Sequence, residues 1–394
     1  MPPVLLQTLA VIRINLKSLP ARFWMSLSTV VAISLVVAVL LAFLAMANGF
    51  RHTISGTGSP EIAVLLRPGS ESEINSAVAR DQLRLIEEAP GVARDNGQPL
   101  VSGELYLVVD GIKKASHTKA NLPLRGLGPQ GMALRREFHI AAGRMFRPGL
   151  NEIIVGKGLL GEFDGFGLGQ SLRFGTSQWT VVGVFDAGGS VLESELWADA
   201  AVVQSLFKRD NYFQTIRVRL DGADALARLK AAVESDPRLK LDVLSEADYF
   251  AKQASKTSDL ILYLGWPLAI AMAFGALAGA LNTMYSSVAA RSLEIGTLRA
   301  IGFGGFPTFA GTLIEAMVLA CLGGILGAAS AFLFFDGLTA STLGGSFTQV
   351  VFNFRLTPGL VGQGVALALA VGLLGGLFPA VRAARLPIVE ALQA

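Results

Sequence analysis

Residues 23–50 read FWMSLSTVVAISLVVAVLLAFLAMANGF, a run of 28 residues without Asp, Glu, Lys or Arg. A helix rises about 1.5 Å per residue, so this run is long enough to cross a hydrocarbon core of about 30 Å. Hydrocarbon offers no water to the backbone amides, so the run is predicted to be a membrane-spanning helix. It is too long for the apolar region of a signal peptide, and no small-x-small cleavage pattern follows it.

Three further uncharged runs have a membrane-spanning length. They cover residues 260–290, 316–335 and 356–381, and the second of them is extended upstream by the uncharged residues 300–314. Apolar residues make up 52% of the chain and charged residues only 16%, against roughly 25% in ordinary soluble domains. The sequence therefore predicts a membrane protein with four spans and with both termini on the same side.

The charges are concentrated between the first and second spans. Residues 51–259 carry 25 Lys or Arg and 26 Asp or Glu, whereas the other 185 residues carry 12 charges in all. The predicted fold is four transmembrane α-helices with a large α+β extracytoplasmic domain inserted between helices 1 and 2. The predicted segments are an amphipathic helix at 1–22, spans at 23–50, 260–290, 306–335 and 356–381, the domain at 51–259, a cytoplasmic helix at 291–305, a short loop at 336–355 and a C-terminal segment at 382–394.

The short loops set the predicted orientation. The N-terminus, the loop after the second span and the C-terminus together hold seven basic and two acidic residues, while residues 336–355 hold one of each. Basic loops stay in the cytoplasm, so we expect cytoplasmic termini and a periplasmic domain in a bacterial inner membrane. The pI near 9.0 then reflects membrane topology, and no basic run with interleaved aromatics indicates a nucleic-acid partner.

The domain at 51–259 shows alternating short strand and helix patterns. A helix is predicted over 73–89, capped by Ser72 and ended by Pro90-Gly91, and a hairpin turn is predicted at Asp110-Gly111. The other predicted strands are 61–66, 152–155, 171–174, 179–185 and 215–220, and the other predicted helices are 223–234 and 245–258, the last running into the second span. Before the first span, residues 4–22 favour an amphipathic helix at the inner interface over a frayed terminus.

The segment RSLEIGTLRAIG, residues 291–302, carries the functional signal. Four apolar residues recur at near-helical steps among charges of both signs, and glycines end the helix before Pro307. A short helix of this kind suits docking into a groove on a soluble partner better than it suits a solvated connecting loop. The predicted docking residues are Arg291, Leu293, Glu294, Ile295, Leu298, Arg299, Ala300 and Gly302.

Small residues and one acid stand out within the later spans. Glycines four residues apart predict close helix packing, against the alternative that glycine is simply common in membrane helices; the pairs are Gly275 and Gly279, Gly323 and Gly327, and Gly372 and Gly376. The acid Glu315 is predicted to pair with Arg291 or Arg299 near the inner interface, with a proton relay as the alternative. Cys321 is interpreted as a small apolar packing residue.

Several passages resemble the permease subunits of MacB/FtsX-type ABC transporters. Residues 291–302 are similar to that family's coupling segment, and residues 379–392, PAVRAARLPIVEAL, are similar to its closing motif. Looser similarity covers AGRMF at 142–146, EIIVG at 152–156 and WTVVGV at 179–184. Together with the N-terminal amphipathic helix, these passages cover nearly the whole chain in order.

The resemblance implies a dimeric permease whose coupling helix contacts a cytosolic ABC ATPase. This chain contains no Gly-x-x-x-x-Gly-Lys-Ser/Thr motif, so ATP and Mg²⁺ are expected on a partner polypeptide and no cofactor is expected here. The implied mechanism is mechanotransmission, in which closure of the ATPase dimer moves the coupling helices and the second span relays the motion to the periplasmic domains.

Three classes of function compete at this point. The first is the permease of an exporter or extractor, as a homodimer or a heterodimer, working with a membrane-fusion adaptor and an outer-membrane channel. The second is an FtsX-like mechanotransducer that activates an extracellular hydrolase without transport. The third, a membrane enzyme, is disfavoured because His52, His117 and His139 are scattered and no catalytic or metal-ligating constellation is visible. The size of the domain favours the exporter.

Overall fold

The computed structural model describes residues 3–135, 138–344 and 348–387. The helices are α1 Pro3–Ser18, α2 Phe23–Ser55, α3 Arg80–Glu87, α4 Lys157–Glu162, α5 Ala200–Leu206, α6 Ala225–Ser235, α7 Glu246–Ala290, α8 Ser292–Ala300, α9 Gly305–Phe335 and α10 Pro358–Arg385. The strands are β1 Ile62–Leu66, β2 Val78–Ala79, β3 Arg94–Asp95, β4 Gln98–Pro99, β5 Val101–Lys113, β6 Lys119–Leu127, β7 His139–Gly143, β8 Glu152–Gly156, β9 Phe163–Asp164, β10 Ser171–Phe174, β11 Ser177–Asp186, β12 Leu196–Asp199, β13 Tyr212–Phe213, β14 Thr215–Arg219, β15 Asp242–Ser245, β16 Thr339–Leu343 and β17 Gln349–Asn353.

The chain divides into two compact units. We call the first the helical unit, which takes Met1–Asn48, Leu260–Leu338 and Phe354–Ala394. We call the second the inserted domain, which takes Gly49–Asp259 and also Thr339–Asn353. The prediction that the domain ends at residue 259 is therefore incomplete, because the loop between α9 and α10 folds as a β-hairpin that belongs to it.

The helical unit contains the predicted spans. Within the described ranges, four helical stretches are long and apolar enough to cross a membrane, and they are Val4–Ser55, Glu246–Ala290, Gly305–Phe335 and Pro358–Arg385. A 3-10 turn at Leu19–Arg22, which contains Pro20, joins α1 to α2. The buried core of this unit is aliphatic and lies mainly on α2, with Val37, Leu40 and Leu41 packed near Ala320 of α9 and Ala368 of α10.

Four of the six paired glycines lie where helices touch within the chain. A Cβ added at Gly327 would lie 2.6 Å from the carbonyl oxygen of Ser34 on α2, and one at Gly323 would lie 2.9 Å from the Cβ of Ile33. Gly372 and Gly376 approach α9 as closely, at Ala320 and Ala316. Gly275 and Gly279 differ, because within the described part of the chain only their own helix backbone lies near the position that their Cβ atoms would take.

The inserted domain is built on one mixed sheet with strand order β10-β11-β8-β12-β6-β5-β14-β1-β15, to which β7 adds at β11 and β9 at β5. The β8–β11 and β6–β12 pairs are parallel and the other pairs are antiparallel. Strand β1 is buried along its whole length, as its continuous apolar sequence IAVLL requires. Separate apolar cores form around Trp179 and Leu124 and around Leu65 and Leu229.

Two local predictions in this domain were wrong. Residues 73–89 form a 3-10 turn at Glu73–Asn75, then β2, and only then α3 from Arg80, because Gln82 caps the backbone amide of Ala79. Ser72 makes no capping hydrogen bond. The Asp110-Gly111 pair is not a turn, because β5 continues through it to Lys113. Gly111 is needed there for packing, since a Cβ would lie 2.4 Å from the side chain of Leu122.

The remaining predicted elements agree with the structure within a few residues. Strands β1, β8, β10, β11 and β14 and helices α6 and α7 lie where the sequence placed them, and the hairpin turn between β10 and β11 contains Gly175. Helix α7 runs without interruption from Glu246 to Ala290, so the predicted helix at 245–258 does continue into the second span. The closing motif extends past residue 387, so its last residues, including Glu390, lie outside the described residues.

Candidate functional site

The predicted docking segment forms helix α8, which begins after Arg291 and ends before Gly302. Gly302 has a φ of +100°, a backbone conformation that favours glycine and that turns the chain toward α9. Leu293 is 56% exposed and the side chain of Glu294 is 60% exposed, whereas Ile295 is buried against Val288 and Ala383. Half of the predicted docking residues are buried or half-buried and support the helix, whereas Leu293 and Glu294 face out.

Arg291 points into the helical unit and not toward solvent. Its guanidinium lies 3.2 Å from the Glu315 carboxylate on α9 and 3.2 Å from Glu294, and it also donates to the side chain of Asn15 on α1. The start of α8 is therefore fixed to α1 and α9 by one side chain. Arg291 serves as a support for the helix, and the exposed residues of the next turn remain free to meet a partner.

Glu315 also forms an ion pair with a second arginine. Its other carboxylate oxygen lies 3.1 Å from Arg22, which follows α1, and Arg22 also donates to Ser287 near the end of α7. Glu315 is 2% exposed. The predicted ion pair with Arg291 is present, but Arg299 lies elsewhere and donates to the carbonyl of Leu386. We call Asn15, Arg22, Ser287, Arg291 and Glu315 the inner polar cluster.

The end of α8 is held as well as its start. The side chain of Gln7 on α1 donates to the carbonyl of Gly302 and accepts from the amide of Gly304, each at 3.3 Å. The two ends of helix α8 are therefore bonded to α1, and the helix also contacts α9 and α10.

The inserted domain contains a buried set of charges that sequence reasoning missed. Arg125 on β6 is 1% exposed and donates five hydrogen bonds of 2.7 to 3.1 Å to Glu73, Glu104 and Glu195. Further arginines surround the same acids: Arg135 holds both oxygens of Glu104 at 2.8 and 2.7 Å, and Arg217 on β14 contacts Glu73 at 2.9 Å, Glu104 at 3.1 Å, and Glu246. We call these seven residues, Glu73, Glu104, Arg125, Arg135, Glu195, Arg217 and Glu246, the charge cluster.

Aromatic rings border the charge cluster. The Arg125 guanidinium lies 4.9 Å from the ring centre of Tyr106, its cross-strand neighbour, and Arg135 lies 5.0 Å from Trp197. The indole of Trp197 donates to Glu195 at 2.7 Å. Rings of this kind attract cations at their faces, so they add to the pairing energy where water is absent. No local sequence pattern indicated the cluster, because the charged side chains of an alternating strand such as Thr-Ile-Arg-Val-Arg normally face water.

Two opposing effects act on the pKa of Glu73. Burial raises the pKa, but the charges and hydrogen bonds of Arg125 and Arg217 outweigh burial and lower it to about 2. The pKa of Glu104 is also lowered, because burial is outweighed by Arg135, Arg217 and Arg125. Both acids are therefore ionised at neutral pH, and each would lose its arginine partners on protonation.

Lowering the pH should destabilise the inserted domain, because Glu73 then becomes protonated. Because the pKa is about 2 when folded and 4.5 ordinarily, the stabilisation is complete above pH 4.5 and is lost as the pH falls toward 2. We expect the free energy of unfolding to fall by on the order of a few kcal/mol over this window. Denaturant titrations at several pH values test this, and Glu73→Gln should flatten the pH dependence; an equally steep slope in that variant would contradict the assignment.

The described residues offer no metal centre. Among residues 3–135, 138–344 and 348–387, no group of three or more His, Cys, Asp or Glu side chains is placed to hold a metal ion. In the charge cluster each acid faces arginine. Both polar clusters join side chains from different helices and strands through ion pairs and hydrogen bonds.

Comparison with known proteins gives two family matches in succession. The model of the MacB-like periplasmic core domain matches residues 26–236, and that of the FtsX-like permease C-terminal domain matches residues 267–388. The chain is 28% identical to a macrolide export ATP-binding/permease protein MacB 1/2 of Paracoccus denitrificans, across 99% of this chain and 59% of that protein. It is 26% identical to a MacB of Azoarcus sp., across 96% and 58%.

Solved structures of extracytoplasmic domains show a weaker likeness. The extracellular domain of the transporter YknZ from Gram-positive bacteria is 16% identical, with a TM-score of 0.34 over 47% of this chain and 100% of that chain. The periplasmic region of MacB from Actinobacillus actinomycetemcomitans is 13% identical, with a TM-score of 0.37 over 50% and 92%. The chain spans under two thirds of the length of the two MacB relatives. Because the core-domain model alone matches more than half of the chain and the permease model follows it in order, this protein belongs to the MacB/FtsX-type permeases of ABC transporters.

Proposed function

We propose that this chain couples ATP hydrolysis on a separate cytosolic ABC ATPase to movement of its inserted domain, in order to export or extract a substrate from the periplasm or the outer leaflet. The observation that carries the proposal is helix α8, which presents Leu293 and Glu294 outward while Arg291 and Gln7 anchor its two ends. ATP and Mg²⁺ would bind to the partner, and this chain would supply only the docking helix and the moving parts.

The basic loops support an inner-membrane location with cytoplasmic termini, since α8 must then meet its partner in the cytoplasm. The long helix α7 supports transmission, because one continuous helix joins Glu246 of the inserted domain to Ala290, two residues before α8. A membrane-fusion adaptor and an outer-membrane channel are proposed further partners. An FtsX-like role is the alternative, and the observation that would select it is ATP-dependent activation of an extracellular hydrolase without substrate movement.

Glu294→Lys should weaken binding of the ATPase. The side chain is exposed, so reversing its charge alters the docking surface, while Arg291 keeps its second partner Glu315. We expect co-purification of the ATPase with the tagged permease to fall at least severalfold, with an unchanged thermal unfolding curve for the inserted domain. Glu71→Lys, the same charge reversal at an exposed site of the inserted domain, should leave co-purification intact. Equal recovery of the ATPase with both variants would remove α8 as the docking site.

We propose further that two permease copies pair through α7. Gly275 and Gly279 lie four residues apart on one helix face, and among the described residues no other part of the chain lies within 4 Å of a Cβ built at either of them, unlike Gly323, Gly327, Gly372 and Gly376. Small residues let two membrane helices approach closely, so this face fits a second permease. A homodimer is the simplest case, and a related permease in a heterodimer would use the same face.

Gly279→Leu should disrupt this pairing without unfolding the chain. Among the described residues no other part of the chain lies within 4 Å of a Cβ built at Gly279, so the monomer should stay stable, but two helices could no longer approach closely. We expect the dimer fraction in lipid nanodiscs to fall at least severalfold by single-molecule photobleaching. Gly362→Leu is the matched control, because Gly362 on α10 also has nothing within 4 Å. A dimer that survives Gly279→Leu, or one that Gly362→Leu disrupts equally, would contradict the α7 interface.

A further inference from the structure

The chain connects the inserted domain to the helical unit through three segments: α2, where the boundary follows Asn48, α7, where it follows Asp259, and the β16–β17 hairpin between α9 and α10. We propose that the charge cluster is the joint that fixes all three connections, and that Glu246 and Thr348 are its positioning residues. This inference rests on the proposed function, because a joint matters only if helix motion is relayed to the domain.

Glu246 fixes the first two connections with one carboxylate. It is the first residue of α7, and it pairs with Arg217 of the charge cluster while accepting a hydrogen bond of 3.1 Å from the amide of Ser59. Ser59 follows the last residue of α2 by only four positions. Gly58 makes the close approach possible, since it has a φ of +108° and a Cβ there would lie 2.8 Å from the carbonyl oxygen of Glu246.

Thr348 connects the hairpin to the same cluster. Its hydroxyl lies 3.1 Å from the hydroxyl of Tyr106, whose ring lies under Arg125. Three residues on, the amide of Val351 donates to Ser194 at 2.9 Å, next to Glu195 of the cluster. Thr348 is 2% exposed, so its hydrogen bond with Tyr106 is shielded from water.

A small cavity marks the meeting point. It has a volume of about 30 Å³ and is lined by Glu73, Tyr106, Arg125, Glu195, Tyr249 and Thr348 among others. A polar cavity of this size has room for about one or two water molecules. A shift of the segment after α2, of the start of α7 or of the hairpin against the sheet would break the Ser59–Glu246 hydrogen bond, the Arg217–Glu246 ion pair or the Thr348–Tyr106 hydrogen bond, respectively.

Hydrogen exchange on the full chain in lipid nanodiscs tests the first part of the joint. In Glu246→Gln we expect amides of residues 56–60 and 246–250 to exchange about tenfold faster or more, with β11 unchanged, because local opening costs less. Glu71→Gln is the matched control, since Glu71 pairs with Lys256 of the same helix at 2.6 Å but is 72% exposed. Equal exchange in the two variants would overturn the joint, and so would faster exchange spread over the whole domain, which a purely structural role predicts.

Thr348→Val tests the hairpin separately, and it also tests the joint if Glu246→Gln does not fold. It keeps the side-chain shape and removes the hydroxyl bonded to Tyr106. Exchange should rise at residues 348–353, while Thr342→Val on β16 should leave it unchanged. With the ATPase bound, both joint variants should retain ATPase activity within about twofold but lose the nucleotide-dependent movement of the inserted domain. If no ATPase binds the unaltered chain, the proposed function fails, while the exchange data still decide the joint.

Discussion

Replacing Arg125 by Met should strongly destabilise the inserted domain. Arg125 is 1% exposed and is the shared partner of Glu73, Glu104 and Glu195. Its removal leaves Glu195 without an arginine and takes one of the arginines away from Glu73 and from Glu104, at a cost of about 3–5 kcal/mol. We therefore expect a fall in Tm on the order of 10 °C for a domain of this size.

Tryptophan fluorescence gives a direct reading of this unfolding. Trp197 donates to Glu195 inside the charge cluster, and Trp179 is buried in the neighbouring core. Arg144→Met is the matched control, because Arg144 also makes a two-pronged ion pair, with Glu152 at 2.6 Å, but its side chain is 44% exposed. An exposed pair contributes about 0–1 kcal/mol. Similar Tm values for the two variants would show that the charge cluster contributes little.

A double variant separates charge from packing. Adding Glu195→Gln to Arg125→Met neutralises the acid that the first change leaves without an arginine, and the amide oxygen can still accept from Trp197. If uncompensated charge causes the instability, the double variant should be more stable than Arg125→Met alone. If lost packing causes it, the second change should give no recovery.

The sequence predicted the spans, the inserted domain and helix α8 because each has a local signal. Uncharged runs of membrane length are rare outside membrane-spanning helices, and the glycines after Arg299 end α8 as expected. The β16–β17 hairpin gave no such signal. Its strands are short and lie between two spans, so only tertiary contacts, such as Phe352 against Phe50 at 5.4 Å, show that it belongs to the inserted domain.

The sequence indicated part of the inner polar cluster but not the charge cluster, because only the first of them has a local signal. Glu315 stood out because an acid at membrane depth is rare, and its nearest basic residues along the chain included the correct partner, Arg291. Arg22 was missed as its second partner because it lies nearly three hundred positions away in sequence. The charge cluster draws Glu73, Arg125, Arg217 and Glu246 from separate elements, and each of them alone resembles an ordinary surface charge.

Glu315→Gln should release the support beneath the docking helix. Gln has nearly the same shape but no charge, so the half-buried Arg22 and the buried Arg291 would lose the acid that lies between them, and Arg291 would keep only the exposed Glu294. The expected cost is again about 3–5 kcal/mol, because both cations lose their shared partner. We expect lower yield of monodisperse protein and weaker co-purification of the ATPase, since Arg291 anchors the start of α8.

Glu294→Gln is the matched control for this experiment, because Glu294 contacts the same arginine at the same 3.2 Å but is 60% exposed, so its removal should leave the yield unchanged. The comparison also separates the two interpretations of Glu315. If it relays protons, Glu315→Gln should fold and bind the ATPase normally and should lose only a proton-dependent step. If it supports α8, folding and ATPase binding should fail together, because the same carboxylate holds the helix that makes the contact.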